Sequence, residues 1–371
     1  MISSEPKIAE TTATAFTIPT DAPEADGTFS WNSTTLIVVE MKCDGKNGVG
    51  YTYSHKTAAP LARELMKKHV EGQSPFDTNA LFSAMRKAQR NYGREGIAAT
   101  ALSAIDIALW DLKAKFLGKP LCCVLGQMRE GAAVYGSGGF TTYSDEQLRD
   151  QLGGWVSEGI PRVKMKIGTH PEDDLHRVKT ARDAIGDRTE LFVDANGAYS
   201  RKQALEFAKK FGAECNVTWF EEPVSSDDLA GLKLLRDRVP AGMDIAAGEY
   251  GWTAMYLRNM IEAEVVDVIQ ADATRCAGCT GFLQVDALCQ AFGLPLSAHT
   301  APSLHAHLCC AVPSARNVEY FHDHVRIEQI FFDGAARADH GMLKPDLSRA
   351  GFGLEIKQHD VEKYQVYDKA A

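Results

Sequence analysis

The stretch from Leu191 to Glu249 holds three short apolar runs that each end in an acid: LFVDAN at 191–196, VTWFEEP at 217–223 and DIAAGE at 244–249. The acids Asp194, Glu221 and Glu249 stand 27 and 28 residues apart. A strand with its return helix needs about 30 residues, so each step is one βα unit of a parallel sheet. Acids at the carboxyl ends of successive strands can converge on one hard cation such as Mg²⁺. The stretch therefore predicts an α/β fold and an enzyme.

The same rhythm extends in both directions along the chain. Eight strand-like runs alternate with mostly amphipathic segments, and the runs lie at 133–138, 163–167, 190–193, 218–220, 245–247, 265–270, 294–298 and 317–320. Eight such units favour a TIM-type barrel. An open doubly wound sheet is the alternative, and it is less favoured because no glycine-rich phosphate turn follows the first strand.

The first third of the chain has a different character. Thr34–Met41 and Val49–Tyr53 predict a hairpin, and three helices follow at about 59–70, 78–89 and 97–117. The third helix places Ala101, Ile105, Ala108, Leu109 and Leu112 on one face. We therefore divide the chain into an α+β domain (1–125), a barrel domain (126–343) and a C-terminal segment (344–371) that packs back on the first domain.

Composition excludes several classes of protein. A formal net charge of −9 argues against nucleic-acid binding. No run of about 18 apolar residues predicts a membrane span, and no secretory signal precedes the first strand. The nine cysteines are scattered through apolar contexts, which indicates free thiols in a reducing cytoplasm.

Seven of the eight predicted strands end in an ionisable residue or are followed directly by one. Lys164 and Lys166 point to the same side of one strand, so their mutual repulsion should lower the pKa of at least one of them. Of the pair at 221 and 222, we choose Glu221 as the inward-facing acid. A neighbouring aspartate should raise the pKa of a histidine on the next strand. The full candidate set is Lys164, Lys166, Asp194, Asn196, Glu221, Glu249, Asp272, His299 and Glu319.

The order Lys-x-Lys, Asp-x-Asn, Trp-Phe-Glu-Glu-Pro, Gly-Glu, Asp, His, Glu resembles the enolase superfamily, and within it the mandelate racemase subgroup. The resemblance implies an α+β capping domain on a modified TIM barrel, (β/α)₇β, and a homo-oligomer. It implies Mg²⁺ held by Asp194, Glu221 and Glu249.

The resemblance also implies roles for the other candidates. Lys166 and His299 would be the two acid/base groups on opposite faces of the substrate, with Asp272 orienting His299. Lys164 and Glu319 would contact the substrate carboxylate, and Asn196 would belong to the same polar shell. A protonated Glu319 could donate a hydrogen bond to the developing enediolate.

The shared step is removal of the proton alpha to a carboxylate, and several products can follow. We favour an acid-sugar dehydratase because the segments 20–32 and 51–56 are polar, although Phe29 and Trp31 could line an apolar pocket. A racemase or epimerase of a 2-hydroxy acid and a lactone cycloisomerase remain alternatives. The triplet at 322–324 could contact the distal end of a sugar acid. A metal-free Schiff-base aldolase and a non-catalytic scaffold fit less well, because all the metal and acid/base groups are present.

Overall fold

The computed structural model describes residues 5–366. The chain begins with a three-stranded antiparallel sheet in the order β1 (Glu10–Ala25), β2 (Ser30–Cys43) and β3 (Lys46–Tyr53). The predicted hairpin is confirmed as β2 and β3. The first strand was not predicted, because threonine and alanine fill its start and prolines its end, with a register shift between Pro19 and Glu24. Such a strand carries little apolar alternation.

Three helices complete this domain: α1 (Ala58–His69), α2 (Thr78–Ala88) and α3 (Ile97–Phe116). They lie within two residues of the predicted bounds. The predicted apolar face of α3 packs in a core of its own, together with side chains of β2, α1 and α2 such as Val39, Leu65 and Phe82. The antiparallel sheet and helices thus form a unit with a separate hydrophobic core.

A closed barrel of eight parallel strands follows. The strands are β4 (Ala132–Gly138), β5 (Arg162–Lys166), β6 (Glu190–Asp194), β7 (Val217–Glu221), β8 (Asp244–Ala247), β9 (Val268–Ala271), β10 (Leu296–Ala298) and β11 (Ala315–Phe321). Each pairs with the next, and β11 pairs with β4 to close the sheet. This confirms the predicted modified TIM barrel and rules out the open sheet.

Helices connect the barrel strands and lie outside them. They are α4 (Leu121–Leu125), which precedes the barrel, and α5 (Asp145–Ser157), α6 (Pro171–Ile185), α7 (Arg201–Cys215), α8 (Leu229–Arg236), α9 (Ala254–Glu262), α10 (Gly278–Phe292), α11 (Pro302–Ala311) and α12 (His322–Phe331). The helix after the eighth strand, α12, contacts the N-terminal sheet: Glu328 accepts a hydrogen bond from Tyr51 Oη at 2.5 Å.

After α12 the chain forms four short strands and one short α-helix. These are β12 (Phe332–Asp333), β13 (Ala338–Asp339), β14 (Met342–Leu343), β15 (Glu355–Ile356) and α13 (Gln358–Val361). Its end returns to the first strand, where Val366 N donates to Ala15 O at 2.8 Å. Within residues 5–366, no helix is both long and apolar enough to cross a bilayer.

A turn of the N-terminal domain, residues 26–29, sits directly on the barrel. A Cβ added at Gly27 would lie 2.3 Å from Ala195 O and 2.6 Å from Ile167 O, so only glycine allows this approach. Two threonines fix the turn from the barrel side, because Thr169 Oγ1 and Thr141 Oγ1 both donate to Asp26 O. The N-terminal domain therefore caps the carboxyl ends of β5 and β6.

Candidate active site

Strand register places the acidic cluster at the mouth of the barrel. Lys166 pairs with Asp194, and Asp194 pairs with Glu221, across β5, β6 and β7. Two residues earlier, Phe192 and Trp219 point into a buried layer beneath the site. Because inward residues alternate along a strand, Asp194 and Glu221 also point inward.

Glu249 completes the acidic cluster from β8. Gly248 has a φ of +134°, and a Cβ there would meet Gln270 O at 2.3 Å, so glycine is required for the bend that delivers Glu249. Carboxylate oxygens of Asp194, Glu221 and Glu249 lie within 4.8 Å of one another, and all three side chains are buried. The structure thus brings the three predicted metal ligands together.

The two lysines are paired with these carboxylates. Lys166 Nζ lies 2.5 Å from Asp194 Oδ2, and Lys164 Nζ lies 2.6 Å from Glu221 Oε1 and 2.8 Å from Glu319 Oε1. Burial alone would lower the pKa of Lys166, but the surrounding carboxylates, Asp194 first among them, raise it above its ordinary value. The same balance raises the pKa of Lys164. The predicted lowering of a lysine pKa was wrong for this arrangement, because attraction to the acids exceeds repulsion between the lysines.

Negative charge at this site exceeds what the lysines neutralise. Burial and the charge of Asp194 raise the pKa of Glu221 to about 8. Burial and Glu249 raise the pKa of Glu222 well above its usual range, and Glu222 Oε1 has no hydrogen-bond partner among the described residues. Three clustered carboxylates are hard oxygen donors, the ligand type that Mg²⁺ prefers. The donor set therefore fits a divalent magnesium ion.

A second constellation surrounds His299, which follows β10. His299 Nδ1 lies 2.9 Å from Asp272 Oδ2, while Nε2 lies 3.2 Å from Glu249 Oε2 and 3.6 Å from Glu319 Oε2. Burial opposes protonation, but Glu249, Glu319 and Asp272 outweigh it and raise the pKa of His299 to about 9. The pKa of His299 is thus raised, as predicted from its pairing with Asp272. At neutral pH, the imidazole is a proton donor.

Glu319 differs from its predicted protonation state. Burial would raise its pKa, but Lys164 and His299 lower it to about 2, so this carboxyl is ionised. Ser137 Oγ donates to Glu319 Oε1 at 2.6 Å. The sequence prediction missed Ser137, although it lies near the carboxyl end of the first barrel strand, where the rule used for the other strands would have found it.

Lys166 and His299 line one cavity of about 390 Å³ between the cap and the barrel. Their strands, β5 and β10, are separated by five steps around the barrel in one direction and three in the other, so the two groups face each other across the mouth. Asn196, Glu249 and Glu319 also line this cavity. Asn196 Oδ1 is buried without a protein partner among the described residues.

The cavity residues Arg275 and Tyr250 were not among the residues predicted from the sequence. Arg275 lies one turn beyond Asp272, with its guanidinium 5.6 Å from the ring centre of Tyr250 and 5.9 Å from that of Trp252. Its NH1 lies 3.6 Å from Glu249 Oε1. No local signal marks it, because its partners Glu249, Tyr250 and Trp252 belong to the preceding βα unit. Tyr250 lines the same wall.

The histidines outside the acid/base set divide into two groups. Of the triplet 322–324, only His324 lines the cavity, stacked on Tyr53 at 3.4 Å between ring centres. His322 pairs with Asp21 instead. His305 is structural, since its Nε2 accepts from Ala273 N at 3.0 Å.

Comparison with known proteins agrees with this architecture. Residues 147–361 match the family described as enolase C-terminal domain-like, and residues 10–126 match the mandelate racemase / muconate lactonizing enzyme N-terminal domain. The chain belongs to the enolase superfamily, in the family of mandelate racemase and muconate lactonizing enzyme. It is therefore an enzyme, as its site predicts.

Within this family the chain is similar to several sugar-acid enzymes. L-talarate/galactarate dehydratase from Salmonella typhimurium is 32% identical over 77% of this chain and 73% of its own length. D-galactarolactone cycloisomerase from Agrobacterium fabrum is 30% identical over 75% of this chain and 74% of that protein. Arabinonate dehydratase from Saccharolobus solfataricus is 30% identical over 77% of each chain.

Solved structures resemble the whole chain. A mandelate racemase/muconate lactonizing enzyme-like protein from Rubrobacter xylanophilus is 49% identical, with a TM-score of 0.95, covering 97% of this chain and 100% of that one. L-talarate/galactarate dehydratase from Salmonella typhimurium, liganded with Mg and L-lyxarohydroxamate, has a TM-score of 0.89 and 27% identity, covering 98% and 94%.

Proposed function

We propose that this family member is a Mg²⁺-dependent acid-sugar dehydratase. It removes the proton alpha to the carboxylate of a polyhydroxylated acid and then expels the β-hydroxyl as water, giving a 2-keto-3-deoxy acid. The observation that carries the proposal is the pair Lys166 and His299 on facing walls of one cavity, next to three clustered carboxylates. Three relatives that carry out sugar-acid chemistry support the substrate class.

The metal would be held by Asp194, Glu221 and Glu249, where it would neutralise charge that develops on the substrate carboxylate. The remaining chemistry belongs to side chains of this chain. Lys164 is a buried ammonium among the carboxylates and places a fixed positive charge near the reacting end. Ionised Glu319 positions Lys164 at 2.8 Å.

Lys166 is the proposed base and His299 the proposed acid. Lys166 must be neutral to accept a proton, which requires that its 2.5 Å bond to Asp194 be released when the complete site assembles. His299 is protonated below a pKa of about 9 and can donate to the departing hydroxyl. Asp272 holds Nδ1 of His299, so Nε2 is the nitrogen that faces the site. Elimination of water requires removal of the α-proton and protonation of the departing hydroxyl. Lys166 would remove the first proton, and His299 would deliver the second.

A racemase or epimerase is the second candidate, because two acid/base groups on facing walls can exchange the α-proton on both faces of a 2-hydroxy acid. A cycloisomerase is represented among the relatives. The dehydratase is favoured by the hydroxyl groups on the cap side of the cavity, from Thr28, Ser33, Thr34, Thr35 and Ser54. These groups suit a polyol better than an aromatic acid.

The test is a screen of aldonic and aldaric acids with Mg²⁺, read out as formation of a 2-keto-3-deoxy acid. Product should form with at least one acid and should be absent for the Lys166→Ala variant. If none is dehydrated while a simple 2-hydroxy acid exchanges its α-proton in D₂O, the racemase reading replaces this one. Light scattering of the purified chain tests the further proposal that it forms a homo-oligomer.

A further inference from the structure

The cavity has two chemically different ends. At the barrel end it is lined by Lys166, Glu249, His299 and Glu319, the groups assigned to the reacting carboxylate. At the cap end the lining residues come from the β1–β2 turn, from β2 and from the end of β3, and they include Asp26, Thr28, Phe29, Trp31, Tyr53 and Ser54, the residue after β3. A substrate with its carboxylate at the barrel end must place its distal carbon among these cap residues.

No lysine or arginine lies at the cap end among the described lining residues, and the charged group there is the carboxylate of Asp26. The turn holds this carboxylate in place, because Asp26 Oδ1 accepts from Thr28 N at 2.6 Å and from Phe29 N at 2.8 Å. Its second oxygen, Oδ2, takes part in none of these bonds. Asp26 therefore offers an acceptor for hydroxyl groups and repels anions.

The two lining cations are already engaged. Lys166 is bound to Asp194. Arg275 NH1 donates to Glu249 O at 3.2 Å, and its Nε lies 3.7 Å from Asp272 Oδ2. Each cation thus has a carboxylate partner within the reacting half of the site. Both cations therefore lie among groups of the barrel end, away from the cap end where a second substrate carboxylate would be placed.

His324 does not supply a positive charge either. Its ring is buried and stacked on Tyr53, and burial together with the charge of His299 lowers its pKa well below the ordinary value. A neutral imidazole can exchange hydrogen bonds with hydroxyls but cannot pair with a carboxylate as an ion. Tyr53 Oη is buried with no partner among the described residues, so it too can bind a neutral hydroxyl.

Two aromatic rings complete the cap end. Phe29 and Trp31 are stacked with ring centres 6.2 Å apart and planes 14° apart. Aromatic faces pack against the C–H surface of a sugar chain and offer nothing to a carboxylate. Charge, hydroxyls and aromatic surface at this end all suit a neutral polyol terminus.

We infer that the substrate is a monocarboxylic acid sugar with a neutral hydroxyl terminus, and that Asp26 and the uncharged cap end discriminate against dicarboxylic acids. This rests on the proposed function, since it takes the barrel end as the site of the reacting carboxylate. Relatives named for a dicarboxylic acid, galactarate, and for a monocarboxylic acid, arabinonate, match this chain almost equally, so sequence identity does not decide between them.

The experiment compares aldonate and aldarate pairs of equal configuration, such as D-gluconate with D-glucarate and D-galactonate with galactarate, in the presence of Mg²⁺. An aldarate would place its second carboxylate next to Asp26, with no cation beside it. Its kcat/KM should therefore be lower than that of the matching aldonate by on the order of 100-fold, because like charges brought together in an interface are strongly unfavourable. Calorimetric binding of each acid to the Mg²⁺-loaded protein gives the same comparison without turnover. Preference for the dicarboxylic member of a pair, or equal binding of both, overturns the inference.

The Asp26→Asn variant tests the named residue. Asparagine keeps an oxygen that can hold the turn but removes the negative charge. The KM for the aldarate should fall because the repulsion is lost. The KM for the aldonate should rise because its terminal hydroxyl loses an acceptor. Asp346→Asn is the matched control, because Asp346 Oδ1 holds a turn in the same way, through Ser348 N at 2.9 Å, away from the cavity. Unchanged discrimination in Asp26→Asn excludes Asp26 as the selecting group.

The outcomes separate the two levels of the argument. Dehydration of dicarboxylic acids in preference to monocarboxylic ones leaves the proposed dehydratase intact and removes only the inference on substrate class. Absence of dehydration with both classes, together with α-proton exchange in D₂O, removes the proposed product instead. In that case, the ratio of exchange rates within each pair still tests selection by charge.

Discussion

Replacing Gly27 with alanine should impair catalysis far more than it impairs folding. The added Cβ would stand 2.3 Å from Ala195 O and 2.6 Å from Ile167 O. Both atoms are backbone, so the cap turn rather than the barrel has to yield. Ordinary contact requires a retreat of about 1 Å, and a misplacement of that size can cost about 100-fold in rate. The displaced turn carries Asp26, Thr28 and Phe29, which line the cavity.

The assay is steady-state kinetics on the best acid of the screen, with Mg²⁺ affinity and thermal unfolding measured in parallel. We expect kcat/KM to fall about 100-fold and the free energy of unfolding to fall by only about 1–3 kcal/mol, the usual cost of overpacking. Mg²⁺ affinity should not change, because the three carboxylates lie on the barrel. Gly154→Ala is the control, since a Cβ at Gly154 meets no atom within 4 Å. A Gly27→Ala enzyme with kcat/KM close to wild type would refute the claim that this close approach positions the cap.

Three further predictions concern the metal, the acid and a buried carboxyl. EDTA should abolish activity and Mg²⁺ restore it, and Mg²⁺ at 100 times its Kd should stabilise the fold by about 2.7 kcal/mol in thermal unfolding; activity that survives EDTA would favour the aldolase alternative. His299→Asn should lower kcat by about 10²–10⁴-fold with Mg²⁺ binding intact by calorimetry, since a positioned acid contributes that much; lost metal affinity would show that the ligand set is misplaced. Burial and Asp323 raise the pKa of Glu24 to about 8, so the folded chain retains a proton that the unfolded chain loses above its ordinary pKa of 4.5. Stability should therefore fall as pH rises from about 4.5 to 8, by at most about 1.4 kcal/mol per pH unit, and Glu24→Gln should flatten that slope in urea titrations.

The barrel was predictable because its chemistry repeats with the chain. Asp194, Glu221 and Glu249 recur at the length of one βα unit, and each terminates an apolar run. Closure of a parallel sheet brings such positions to one rim whatever the intervening helices contain. The same logic located Asp272 and His299, whose side chains meet at 2.9 Å.

Protonation states were not predictable in the same way. Lys164 and Lys166 are near neighbours in sequence, so the repulsion between them can be predicted from the sequence. The carboxylates that outweigh this repulsion lie at the ends of four other strands, β6, β7, β8 and β11. Glu319 was expected to be able to hold a proton, yet the ammonium of Lys164 at 2.8 Å keeps it ionised. A pKa depends on the sum of all neighbouring charges, and that sum requires the fold.

Substrate choice lies furthest from the sequence pattern because the residues that govern it follow no barrel period. Asp26 lies in a turn after β1, whose alanines, threonines and prolines carry little apolar alternation. His324 lies in the first turn of α12, after the last barrel strand. Both line one cavity, and the cap reaches it because Gly27 lets the turn rest on the backbone of Ala195 and Ile167. The ionisable groups at the carboxyl ends of the barrel strands can stay constant while the cap turn changes. Relatives that share those groups can therefore differ in substrate. A charge change in this turn is accordingly the most direct way to alter specificity without disturbing the acid/base pair.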